Sequence, residues 1–114
     1  YSQSRRDDPG WYDCSSLVYR SYAAAGITYL NGMDAASEAE CLVNKGMTVS
    51  YGELQPGDLI FYSYSANGKY RNISHVAIYL GNGEMVHAAD ESRGVCKQAM
   101  SQSNLSPQLY CRPQ

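Results

Sequence analysis

Residues 74–89, SHVAIYLGNGEMVHAA, restrict the fold more than any other stretch of the chain. Side chains alternate in character on either side of Gly81-Asn82-Gly83, the pattern of two half-buried strands joined by a tight turn. Along the first strand His75, Ala77 and Tyr79 share one face, and Val76, Ile78 and Leu80 take the other. A three-residue Gly81-Asn82-Gly83 loop pairs Leu80 with Glu84 and sets Ala77 opposite His87. His75 then stands diagonal to His87 on one face, roughly 7–8 Å away and within reach of an aromatic side chain. A two-residue Asn82-Gly83 turn puts the two histidines on opposite faces unless a bulge intervenes. Bringing together the only two histidines of the chain therefore requires the longer loop or a bulge.

Upstream the period changes. In WYDCSSLVYRSYAAAG, Trp11 to Gly26, the residues Leu17, Val18, Tyr22 and Ala25 recur at helical spacing. Asp13 is a good N-cap, because its carboxylate can accept first-turn N–H groups, and Gly26 is a natural stop. Asp34 to Lys45 reads as a second helix, capped by Asp34 and ended by Gly46. After Pro56 the segment GDLIFYSY is a strand, while GVCKQAM and LYCRP are weaker ones. Residues Tyr1 to Tyr12, with the turn signal DDPG, read as a loop leading into the first helix. Helices first and antiparallel strands afterwards predict an α+β fold.

The 114 residues suit one domain spanning 1–114, and no repeat or linker divides them. The chain starts at Tyr1 without a methionine, so we expect a processed or excised piece whose targeting segment lies upstream. No apolar run is long enough to cross a membrane as a helix. Nine Lys and Arg against eleven Asp and Glu are scattered, which argues against a nucleic-acid or anionic-membrane surface. Eleven tyrosines against one Phe and one Trp suit either the walls of a groove gripping a polar polymer or half-buried strand positions.

The four cysteines, Cys14, Cys41, Cys96 and Cys111, allow three pairings if all are bridged, and they lack zinc-finger spacing. Cys96 with Cys111 is the expected bridge, since both fall in the C-terminal strands. Cys14 is either half of a disulfide or a nucleophile. A thiol at a helix N-terminus ionises more easily beside the partial positive charge there. A nearby imidazole then holds the proton, and a second group orients that imidazole. On this reading Cys14 is the nucleophile, His75 the base and His87 the orienting residue, with the Cys14 N–H facing an oxyanion. One cysteine with two histidines could also form a zinc site with an open position.

YDCSSLVYRSY, PGDLIFY and SHVAIYLGNGEMVHAA together resemble the NlpC/P60 family of cell-wall cysteine peptidases. The family pattern is a D-C-S-G helix start, a P-G-D-L strand, and an H-V-G-I-Y-L hairpin whose second strand carries I-H-A. The three blocks occur in the family's order across nearly the whole chain. The resemblance implies a papain-like fold in miniature, with the nucleophile helix packed on an antiparallel sheet of about five or six strands.

It also implies Cys14, His75 and His87 as the catalytic triad and no metal or organic cofactor. Tyr1, Asp13, Ser15 and Ser74 are implied neighbours for substrate or oxyanion. The implied activity is peptidoglycan hydrolysis by a secreted, monomeric, bacterial or phage-derived enzyme that inserts in no membrane. The first choice of bond is the one between D-γ-glutamate and the dibasic third residue of the stem peptide. A muramoyl-L-alanine amidase, an acyltransferase and a non-catalytic wall-binding module are the alternatives. The chain departs from the pattern at SQSRRDDPG, where the family has a Gly-Gly pair, and at Ser16 and Ala77, where it has glycine. Residues Tyr62 to Asn72 are an expected rim of the groove, and Arg5, Arg6 and Arg71 are candidate partners for substrate carboxylates.

Overall fold

The sequence signals that end helices are realised in full. The computed structural model describes residues 14–30, 33–63, 68–90, 94–100 and 107–114. Helix α1 spans Cys14–Ala24 and α2 spans Ala35–Asn44. Asp34 caps α2 by accepting from the Ser37 N–H at 2.8 Å. Both helices close in the same way. Ile27 N–H reaches the Tyr22 carbonyl and Gly26 N–H that of Ala23, while Met47 and Gly46 repeat the pattern on Leu42 and Val43. These are Schellman closures, which need a left-handed residue; Gly26 (φ 92°) and Gly46 (φ 71°) supply it without a Cβ clash. The predicted Asp13 cap lies outside the described residues.

Five strands follow: β1 Leu59–Tyr62, β2 His75–Gly81, β3 Glu84–Asp90, β4 Gly94–Ala99 and β5 Pro107–Cys111. Among the described residues they form one sheet in the order β4-β3-β2-β1-β5, with every pairing antiparallel. The α+β expectation holds. Strand β1 is buried along its whole length because both its faces are covered. Leu59 and Phe61 join Val18, Leu30, Leu42 and Val76 under the helices, whereas Ile60 and Tyr62 join Ala77 and Met85 on the opposite face.

The P-G-D-L turn before β1 is a brace. Arg112 clamps the buried Asp58 through two parallel bonds, Nε to Oδ1 at 2.8 Å and Nη2 to Oδ2 at 2.9 Å. Asp58 also accepts from the Gln55 N–H at 2.9 Å. Gly57 N–H donates to the Tyr79 carbonyl, and the Gly57 carbonyl accepts from the Tyr22 hydroxyl. One turn thereby joins α1, β2 and the C-terminal segment. Arg112→Leu is expected to lower the thermal midpoint by leaving the Asp58 carboxylate buried without its counter-charge. Adding Asp58→Asn should restore part of the loss, because the uncompensated charge is then gone. Thermal unfolding of the two variants and the parent checks this.

One expectation fails. Cys96 lies on β4 and Cys111 on β5, the two opposite edges of the sheet. Four strand spacings separate them, about 19 Å, whereas a disulfide needs Cα atoms within about 7 Å. All four cysteines are thiols. Cys111 is fully buried, and burial pushes its thiol up to about 12.

Candidate active site

The hairpin register decides whether the histidines meet. Strands β2 and β3 pair Ile78 with Val86 and Tyr79 with Met85, then shift to pair Gly81 with Glu84. Leu80 is thus the extra residue of a bulge, and the turn itself is Asn82-Gly83. Both turn residues have positive φ, 54° and 78°, as a type I′ turn requires. The bulge resets the register by one residue, which places His75 and His87 on one face despite the two-residue turn. Their rings meet: His75 Nε2 lies 2.7 Å from His87 Nδ1, with the ring planes at 77°. Both side chains are buried.

The row continues onto the next strand. Strand β4 pairs Cys96 with His87 and Gln98 with Met85, so Gln98 stands diagonal to His87 as His87 does to His75. Gln98 Oε1 lies 2.8 Å from His87 Nε2. The sequence reading missed Gln98. Alternation along GVCKQAM puts Cys96 and Gln98 on one face, but which face depends on the β3–β4 register, which no turn signal specified.

Tyr62 supports the row from β1. Its ring centroid is 6.1 Å from that of His75, and its hydroxyl donates to Met85 Sδ at 3.3 Å. Burial, with Tyr110 nearby, pushes the Tyr62 hydroxyl up to about 12, so it stays a neutral donor. At 1% exposure Tyr62 is no groove rim, contrary to its place in the expected Tyr62–Asn72 loop. Two further described tyrosines tie elements together. Tyr29 donates to the Gln114 carbonyl, and Tyr79 accepts the Gly83 N–H inside the hairpin.

Cys14 is the first residue of α1 and is buried in the cluster under the helices, which Val76 joins from the face of β2 opposite to that of His75. Helix α1 packs on β2 and β3, the two strands that carry the histidines. At a helix start the first backbone N–H groups have no partner within the helix, and they point toward where an anion would sit. Ser15 follows in the first turn. Ser74 immediately precedes His75, and its N–H donates to the Tyr62 carbonyl at 2.9 Å, which fixes the approach to β2. Ser16 and Ala77, the two small residues standing at family glycines, are both buried. Arg71 is exposed, with its guanidinium 5.6 Å from the Tyr70 ring centre. Tyr1, Asp13, Arg5 and Arg6 lie outside the described residues.

The ring-to-ring bond occupies His75 Nε2 and His87 Nδ1, and Gln98 occupies His87 Nε2. His75 Nδ1 stands outside this chain of bonds. A metal held by both histidines would have to break this chain of bonds, so the arrangement suits proton transfer better than ligation.

Comparison with known proteins shows the family. The model of the NlpC/P60 family matches residues 3–112. The peptidoglycan DL-endopeptidase CwlO of Bacillus licheniformis is 43% identical over 91 residues, covering 79% of this chain and 18% of that protein. The chain spans less than a fifth of the length of the curated relatives it matches. A solved NlpC/P60 family protein from Bacillus cereus superposes with a TM-score of 0.73 at 27% identity, covering 90% of this chain and 32% of that one. RipD of Mycobacterium tuberculosis, described as a non-catalytic NlpC/p60 domain protein adapted to peptidoglycan binding, superposes at 0.66 with 25% identity, covering 89% and 66%.

Proposed function

The chain belongs to the NlpC/P60 family, and from that premise we propose that it is the catalytic domain of a secreted peptidoglycan hydrolase. It cleaves stem peptides by a Cys14-His75-His87 mechanism, with the bond after D-γ-glutamate as its target. The observation that carries the reading is the buried His75–His87 bond, on the two strands against which the Cys14 helix packs. A wall-binding module gains nothing from keeping a thiol at that helix start and a hydrogen-bonded imidazole pair on those strands.

His75 takes the Cys14 proton, and the thiolate adds to the peptide carbonyl while first-turn N–H groups of α1 receive the oxyanion. The collapsing intermediate expels the amine, which takes its proton from His75, and an acyl-enzyme remains. Water that gives up a proton to His75 then hydrolyses the thioester and regenerates the thiol. No cofactor enters these steps. The DL-endopeptidase name of the Bacillus licheniformis relative supports the choice of bond.

Digestion of purified peptidoglycan, with mass spectrometry of the products, tests the bond. Cleavage after D-glutamate leaves L-Ala–D-Glu on the muramic acid and releases peptides that begin at the third residue. Stem peptides beginning at L-alanine would instead identify an amidase. Binding to the polymer without any released fragment would place the chain with RipD.

A further inference from the structure

We infer that Gln98 is a positioning residue that fixes the tautomers of the histidine pair, so that His75 Nδ1 carries the lone pair that receives the Cys14 proton. This rests on the cysteine-hydrolase reading of the site. It follows from a count of protons along His75, His87 and Gln98. An amide oxygen can only accept, so the 2.8 Å contact between Gln98 Oε1 and His87 Nε2 requires the hydrogen on Nε2. A neutral imidazole carries one N–H, so His87 Nδ1 must then be an acceptor. The 2.7 Å contact between the rings is therefore donated by His75 Nε2–H. Neutral His75 is left with its lone pair on Nδ1.

Reversing the polarity at Gln98 reverses every step and places a hydrogen on His75 Nδ1, where it could donate to a thiol but take nothing from it. The direction of proton flow at the nucleophile is thus set two residues away, on the edge strand β4. When His75 accepts the proton it becomes an imidazolium whose Nε2–H still donates to His87. The oxygen of Gln98 lies at the far end of that polarised chain and stabilises it.

The test uses the full chain with Gln98→Glu and Gln98→Leu. Glutamate keeps an acceptor of nearly the same shape, and leucine keeps the bulk without one. Long-range ¹H–¹⁵N spectra of the wild type at neutral pH should show both rings protonated at Nε2. The Gln98→Glu protein should keep that pattern, while Gln98→Leu should show mixed tautomers at His87. The rate of Cys14 alkylation by iodoacetamide, followed on the Cys14 peptide, should fall roughly 10–100-fold in Gln98→Leu. In Gln98→Glu it should be retained, with the alkaline limb of its pH profile moved upward by the added negative charge.

A His87 protonated at Nδ1 in the wild type would overturn the inference, as would a Gln98→Leu protein that matches the wild type in both tautomers and alkylation. The expected tautomers in a protein that releases nothing from peptidoglycan would leave the assignment of Gln98 intact and sink the hydrolase reading instead.

Discussion

Cys14→Ala is expected to reduce fragment release from peptidoglycan by about 10⁶-fold, the size of effect seen when a covalent nucleophile is removed from a triad. Alanine cannot form the acyl-enzyme, and water must then attack the peptide directly, helped only by binding and by the oxyanion donors. The fold should survive. Cys14 loses a single sulfur atom from the rim of the cluster, and the helix it opens keeps Val18 and Tyr19 in the core. The thermal midpoint should therefore move by only a few degrees, the equivalent of roughly 1 kcal/mol. Polymer binding should be retained, so pull-down on insoluble peptidoglycan separates a dead enzyme from an unfolded one. Cys111 will not substitute for the lost thiol, since burial keeps it protonated at neutral pH. Unchanged release by Cys14→Ala would end the cysteine mechanism. The comparison has weight here because the family includes RipD, described as non-catalytic on a similar fold.

What could be read from the sequence was local or periodic. Gly26 and Gly46 mark helix ends because left-handed closure is nearly glycine's own, and Asp34 marks a start because few side chains can cap. The alternation around Asn82-Gly83 fixed the faces of the hairpin up to one residue of register. The bulge at Leu80 then settled that register, and nothing in the local sequence around Leu80 announces it. Two readings needed information that a linear pattern does not carry. The Cys96–Cys111 bridge assumed that strands late in the chain are neighbours, whereas the sheet order sends them to opposite edges. Gln98 stayed hidden because its face depends on the register of β4 against β3. The abundance of tyrosine was ambiguous for a related reason. Tyr22, Tyr29 and Tyr62 each spend the hydroxyl on a tertiary bond, and only the fold identifies the partner.

His75→Ala and His87→Ala should differ in severity although the two rings touch. In the proposed mechanism His75 moves the proton, so its loss should cost about as much as Cys14→Ala, and the Cys14→Ala/His75→Ala double variant should be no worse than either alone. In the same mechanism His87 holds its neighbour in place and in the right tautomer. Removing it should cost roughly a hundredfold less, as losing the orienting member of a triad does. The asymmetry follows from the bonds. His87 spends both nitrogens, on His75 and on Gln98, so none remains for the reacting atoms, whereas His75 spends only Nε2 on the pair. Initial rates of peptide release from peptidoglycan, with circular dichroism on each variant to confirm the sheet, measure the difference. Equal losses from the two substitutions would mean that His87 takes part in proton transfer. A larger loss at His87 than at His75 would reverse the roles, and the thiol would then have to face the second ring.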